Sequence, residues 1–359
     1  MRSAVFTLCL LLFACKGDPA RCLPGDTGCG LLETYLIYTN KIFVATGNSC
    51  SLWTSQDGGN WSYKSNAFPG CSGGDIRSVT YAGGVFVAVG STSAGAGCGI
   101  WTSFNGQNWT QASCGSVTGS MFVVEAGRDG STVEFVAAGD APGPNYYSVS
   151  STDRGVTWTD RTYTAAGGAI NLNSIAFLPV TKKFIMYQGA PQDTRIRSIL
   201  GNWTATAVGP GLNPAYVAVG PITTSGTTNR VFMAGNAASA VYSDDEGATY
   251  SGAITPNIFG ATGTSPTAVT YGGIFVIVRG NCGVTFSTDG STADNSGNYS
   301  MSNCSSDNLV SVKSLGGRYF AGGAGGNIYT STDGLPSNWF LAYQSPVTLP
   351  VNSFALRPY

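Results

Sequence analysis

The sequence predicts an all-β fold, a seven-bladed β-propeller with four-stranded antiparallel blades. Three observations predict it. A motif of the form Ser-x-Asp-x-Gly-x-x-Trp recurs along the chain, and its closing aromatics at positions 61, 109, 158, 203, 250, 299 and 339 are separated by 40 to 49 residues. With strand-like flanks, that period belongs to a propeller. Upstream of the copies sits a second unit, two apolar runs around a Gly turn, as in Ser78-Val79-Thr80-Tyr81 followed by Val85-Phe86-Val87-Ala88-Val89. Finally, 50 of the 359 residues are Gly and only 10% are charged, which suits short strands and tight turns with little helix.

The fullest copy runs from Ser151 to Trp158, and Ser243 to Tyr250 repeats it with Tyr as the closing residue. Ser55 to Trp61 is one residue shorter, and Ser103 to Trp109 has that length with Asn105 in place of Asp. Ser287-Thr288-Asp289-Gly290 and Ser331-Thr332-Asp333-Gly334 keep the turn, with their aromatics later at Tyr299 and Trp339. Ser198 to Trp203 is a degraded copy with no Asp. Alternating runs such as Leu52-Trp53-Thr54-Ser55 precede the copies and read as short strands. Asp-Gly or Asn-Gly then supplies a positive φ and a side-chain oxygen for backbone N–H groups. The pattern resembles the Asp box, or bacterial neuraminidase repeat. That motif lies between the third and fourth blade strands of sialidases, sortilin-type receptors and some glycoside hydrolases. The resemblance covers the chain from about Leu31 onward. Asp57, Asn105, Asp153, Asp245, Asp289 and Asp333 are therefore read as turn-stabilising groups. A catalytic group has no reason to recur once per blade.

Repeats start near 31, 76, 120, 172, 215, 267 and 308, so residues 31–359 form one closed array of seven blades. Near-continuous apolar strands such as Val85 to Val89 suit the middle of a blade, buried on both faces. The tail Val351-Asn352-Ser353-Phe354-Ala355-Leu356 repeats the first-strand pattern. It is expected to pair in the first blade and close the ring.

Residues 1–14 read as a secretory signal, Arg2 followed by the apolar run Ala4 to Ala14. The run is short of the ~20 residues a membrane-spanning helix needs. Its end, Leu12-Phe13-Ala14-Cys15, resembles a bacterial lipobox, with Phe13 closer to the looser spirochaete form. That resemblance implies lipidation of Cys15, a tether over residues 15–30 and an address on the bacterial envelope, most simply the outer membrane.

Eight cysteines remain after Cys9 and Cys15 are set aside as signal and anchor. An even number in an exported chain reads as disulfides. Cys50, Cys98 and Cys282 lie just before the third strand of a blade, and Cys71, Cys114 and Cys304 lie after the fourth. The predicted pairs are Cys50–Cys71, Cys98–Cys114 and Cys282–Cys304, with Cys22–Cys29 by elimination.

The chain contains no His, which excludes His triads, His bases and His metal sites, and no CxxC pair offers a metal alternative. No metal or cofactor is expected. Net charge is −1 with no basic block, so nucleic acid is not an expected partner. The leading functional expectation is a non-enzymatic, envelope-anchored monomer that binds a protein or glycan through its propeller-face loops. The alternative is a sialidase-like or other Asp-box glycoside hydrolase. Sialidases grip a carboxylate with three arginines and carry an Arg-Ile-Pro segment, which is missing here. Arg77, Arg128, Arg195, Arg197, Arg230, Arg279 and Arg318 sit in no family motif, and Asp75, Glu125, Asp129, Glu134, Asp140, Asp160, Asp193, Asp294 and Asp307 are scattered carboxylates that form no evident pair. A third expectation is an envelope assembly factor, which an Arg patch on one face would favour. Arg195 and Arg197 form the sole local pair, read as a solvated edge strand.

Overall fold

The structure is a computed structural model. It describes residues 41–358 except 95, 116, 141–144, 162, 165–173, 188–192, 208–213, 223–228, 236–238, 252–253, 255–264, 293, 295–298 and 305. Seven antiparallel sheets stand around a central channel as seven blades. The innermost strands of blades 2 to 7 are Ile76–Ala82, Met121–Asp129, Ile175–Leu178, Pro214–Pro221, Pro266–Tyr271 and Leu309–Leu315. Most blades carry four or more paired strands. In blades 5 and 6 the fourth position is held by a few backbone bonds, Ser251 N–H to the Tyr242 carbonyl and Ile254 N–H to the Ala240 carbonyl in blade 5, and Val284 N–H to the Tyr299 carbonyl and Met301 N–H to the Cys282 carbonyl in blade 6. The residues 31–40 assigned to blade 1 by the repeat lie outside the described residues.

The tail supplies the innermost strand of blade 1. Val351–Arg357 pairs antiparallel with Ile42–Gly47, with Val44 opposite Ala355 and Ile42 opposite Arg357. Ser51–Ser55 and Ser62–Lys64 complete that sheet. The tail strand packs between the innermost strands of blades 7 and 2, so the ring closes with no sheet edge open at the junction.

The apolar runs lack alternation because each middle strand is sandwiched. In Val85–Ser93, Val85, Val87 and Val89 pack toward blade 3 with Val124 and Phe135. Phe86 and Ala88 pack toward blade 1 with Val44 and Leu52. Both faces of the strand are core, so both sets must be apolar.

The recurrent turns share one hydrogen-bond pattern. In the third blade, Ser151 Oγ donates to Asp153 Oδ1 at 2.8 Å and accepts the Gly155 N–H at 2.9 Å. Asp153 in turn accepts the Thr157 N–H. The same Ser–Gly bond recurs at Gly58, Gly106, Gly247, Gly290 and Gly334. Gly155 has a φ of +80°, and a Cβ there would lie 2.7 Å from Thr102 of blade 2. The motif glycine therefore serves both the turn and the seam between blades. One aromatic departs from expectation: Tyr299 is 49% exposed, and Met301 fills the core place instead.

Disulfides join Cys50 to Cys71, Cys98 to Cys114 and Cys282 to Cys304. Each links the start of a third strand to the segment after the fourth within one blade. In the chain-entropy model, closing loops of this length stabilises by ~3 kcal/mol apiece. Cys15, Cys22 and Cys29 lie outside the described residues.

The turns make stability acid-sensitive. Donation by the Asn60 N–H, then by its amide and the Gly59 N–H, holds the Asp57 carboxyl well below the usual range. Partial burial pushes Asp289 up, but donors from Ser291 and Thr292 outweigh it and hold the group at about 2, against 3.8 ordinarily. Asp153, Asp245 and Asp333 are lowered in the same way, turn hydrogen bonds outweighing burial. Folded values below unfolded values give stability that is complete above the unfolded value and lost as pH falls through the folded one. Thermal unfolding should hold its midpoint down to about pH 4 and decline steadily toward pH 2. A midpoint unchanged to pH 2 would contradict the role given to these carboxylates.

Candidate functional site

All seven innermost strands run in the same direction along the channel, so their first residues meet at one mouth. At that mouth six blades carry a β-bulge. The pairing register shifts between Ile76 and Ser78, Met121 and Val123, Pro214 and Tyr216, Pro266 and Ala268, and Leu309 and Ser311. In blade 1 the shift leaves Asn352 as the extra residue. A bulge inserts a residue without a partner and re-aims its side chain. Arg77, Phe122, Thr267, Val310 and Asn352, all such residues, line a chamber of ≈ 450 Å³ at this mouth.

In blade 2 the partner strand places a Gly, with no side chain, opposite the bulge. A Cβ on Gly90, opposite the blade 2 bulge, would lie 1.9 Å from the Asp75 carbonyl oxygen. Gly90→Ala must therefore shift the bulge. The expected cost is about 2–3 kcal/mol of stability, since overpacking against backbone has no soft escape. A chemical denaturation midpoint indistinguishable from wild type would refute this reading.

The chamber's chemistry is mixed. The Arg77 guanidinium stacks over the Phe122 ring at 4.3 Å, joining blades 2 and 3. The Asn352 amide donates to Asn48 Oδ1 at 2.8 Å and to the Ile76 carbonyl at 3.1 Å. Tyr216 also lines the space, and burial pushes its phenol up, keeping it a protonated donor. Hydroxyls stitch the inner strands together: Ser78 Oγ accepts the Val124 N–H, Ser174 Oγ the Val217 N–H and Ser353 Oγ the Val79 N–H.

An ion pair bars the channel below the chamber. Lys313 Nζ of blade 7 lies 3.3 Å from Glu125 Oε2 of blade 3, and Thr80 and the Ala126 N–H donate to the other carboxylate oxygen. Both residues line the chamber and also the smaller cavity of ≈ 230 Å³ beyond it. The pair marks the floor of the upper space.

The arginines considered for a carboxylate grip are not gathered here. Arg77 alone among them lines the chamber, with Glu125 its sole carboxylate among the described residues. Arg230 makes two bonds to Asp244 in the turn of blade 5, both at 2.7 Å, and a third to the Asp289 carbonyl of blade 6. Arg197 is not part of a solvated edge. It is 2% exposed, 2.5 Å from Glu134 of the neighbouring blade 3, and flanked by the rings of Phe184 and Trp203. Glu134 also accepts the Leu200 N–H at 2.9 Å, inside the turn that lacks an Asp. Blade 3 therefore supplies the acid that the degraded copy has lost. Asp307 is structural too, accepting from Gly325, Asn327 and Tyr329. The turn residues Asp57, Asn105, Asp153, Asp245, Asp289 and Asp333 sit away from the chamber.

No family model matches the chain, and no curated protein matches it. Solved structures do. YCF48 bound to D1 peptide superposes with a TM-score of 0.60 at 15% identity, covering 80% of this chain and 86% of that one. YCF48 from Cyanidioschyzon merolae gives 0.55 at 15% identity, over 81% of this chain and 95% of that one. Sqt1 from Saccharomyces cerevisiae gives 0.56 at 13% identity, over 85% and 83%. At these identities the likeness is one of fold: the chain is a seven-bladed β-propeller.

Proposed function

We propose that this protein is an exported binding propeller of the Asp-box type, anchored to a bacterial envelope by lipid on Cys15, that holds an extended segment of a protein partner in the bulge-ringed chamber. The carrying observation is the ring itself. Six blades break strand register at the same level, and the freed side chains include a stacked Arg–Phe pair, in a chamber that Tyr216 also lines. Arg and Tyr are among the residue types that dominate protein recognition. Three disulfides suit an oxidising compartment. A propeller of the same fold, YCF48, carries a peptide.

Two experiments test the two halves. Acyl labelling in the host should mark the wild type and fail on Cys15→Ser; equal labelling of both removes the anchor. For the chamber, partners recovered by the wild type from solubilised envelopes should be lost with Arg77→Ala/Phe122→Ala, a folded variant by circular dichroism. Recovery that is indifferent to this change overturns the chamber as the binding site.

A further inference from the structure

A second site is suggested where the turn repeat departs from its own pattern. Strands alternate in direction, so the turns between third and fourth strands lie on the propeller face opposite the bulged mouth. Between the turns of blades 2 and 3 is a groove of ≈ 550 Å³ lined by Phe104, Asn105, Asn108, Asp153, Arg154 and Val156 among others. The corresponding groove between blades 1 and 2 is ≈ 300 Å³ and is lined by neither Arg nor an aromatic ring.

Two departures build the larger groove. In blade 1, the Asn60 amide is consumed within its own turn, donating to Asp57 Oδ2 at 2.7 Å. In blade 2, Asn105 replaces that Asp. Its Oδ1 still takes the turn's donors, Ser103 Oγ and the N–H groups of Gln107 and Asn108. But an NH₂ now stands where the second carboxylate oxygen was. The amide of Asn108 cannot donate to it, so both amides become outward donors. The second departure is the extra residue of the blade 3 turn, Arg154, held at a φ of 66°. The equivalent extra residue in blade 5, Glu246 at 62°, reaches back to Lys183 of blade 4 at 2.7 Å. No acid of blade 2 lines the groove to receive Arg154 in the same way. The neighbouring Asp153 carboxylate is occupied by Ser151 and Thr157 of its own turn. The groove therefore combines one guanidinium, two amide donors, and an apolar wall from Phe104 and Val156, the latter 66% exposed.

We infer that this groove binds a uronate-type saccharide, a hydroxylated six-membered ring bearing a carboxylate. The planar guanidinium matches a carboxylate with two parallel hydrogen bonds. The amides fit ring hydroxyls, and the apolar wall fits the C–H face of the ring. The volume is within the range of small-ligand sites. The inference does not depend on the chamber, which is on the other face.

The test is calorimetric titration of the whole protein with trigalacturonate, with maltotriose and sodium acetate as controls. Saturable binding of trigalacturonate alone is expected. Arg154→Gln should weaken it by about tenfold or more, the loss of one charge-assisted contact. Asn105→Asp restores the repeat's own residue, so the turn is retained while the amide donors close and a negative charge enters. It should weaken binding by at least as much. Three results would each overturn the proposal: no trigalacturonate binding by the wild type, equal binding by maltotriose or acetate, or undiminished binding by Asn105→Asp. Peptide capture by the chamber should be unchanged in both variants, which separates a failure here from a failure there.

Discussion

Replacing Glu134 by Ala should destabilise the protein by about 3–5 kcal/mol, the cost of leaving one buried charge without its partner. Both side chains of the Glu134–Arg197 pair are fully buried. Burial pushes the Arg197 guanidinium down, and Glu134 is the group that opposes this. The guanidinium does not escape by deprotonating at any ordinary pH. Loss of Glu134 also orphans the Leu200 N–H in a turn where Leu200 has a φ of 61°. Glu134→Gln keeps the shape but not the charge, and should cost nearly as much as Ala. Adding Arg197→Met to Glu134→Leu should recover part of the loss, because an apolar pair removes the unpaired charge though not the orphaned N–H. The denaturant midpoint reads all of these. Single variants within about 1 kcal/mol of wild type, an ordinary surface effect, would show that the pair is not what holds blades 3 and 4 together.

Ending the chain at Pro350 should abolish cooperative folding. The truncation removes the whole innermost strand of blade 1, leaving the Ile42–Gly47 backbone as an open edge and taking Val351 and Phe354 out of the cluster they form with Phe43 and Phe320. Propeller blades are stabilised by their neighbours, so an open ring loses two interfaces at once. The expected product aggregates, by size-exclusion chromatography, and lacks a sharp thermal transition. A synthetic peptide spanning residues 350–359, supplied during refolding, should restore the transition, since antiparallel pairing needs only the strand and not its covalent link. A truncated chain that remains monomeric with an unchanged transition would mean that the ring closes elsewhere.

The parts of this fold that were legible in the sequence are local. A turn whose Ser, Asp and Gly bond to one another within five residues leaves its signature in any copy. A disulfide whose two cysteines lie 16 to 22 residues apart in one blade is visible in the repeat phase. The rest depends on register and on neighbours. The bulges at Arg77 and Phe122 exist only relative to a partner strand, and their sequence trace is indirect, a Gly opposite the bulge within the second strand, Gly90 or Gly139. Glu134 and Arg197 are 63 residues apart, and a charge in an apolar strand gives no direction to its partner. Arg195 and Arg197 looked solvated because alternation alone does not reveal that a blade's outer strands still face other blades. Even the degraded turn at Ser198, with no Asp of its own, makes sense once blade 3 is seen to provide the acid.

The bulge-ringed chamber as the place of partner binding is tested most directly by photo-crosslinking in the host. A benzophenone-bearing residue is placed at Val310, which lines the chamber, and separately at Ser62, which is exposed on the outer strand of blade 1. The chamber reading predicts a discrete protein adduct from Val310 that Arg77→Ala/Phe122→Ala abolishes, and none from Ser62. No adduct at Val310, or the same adduct from Ser62, would contradict it.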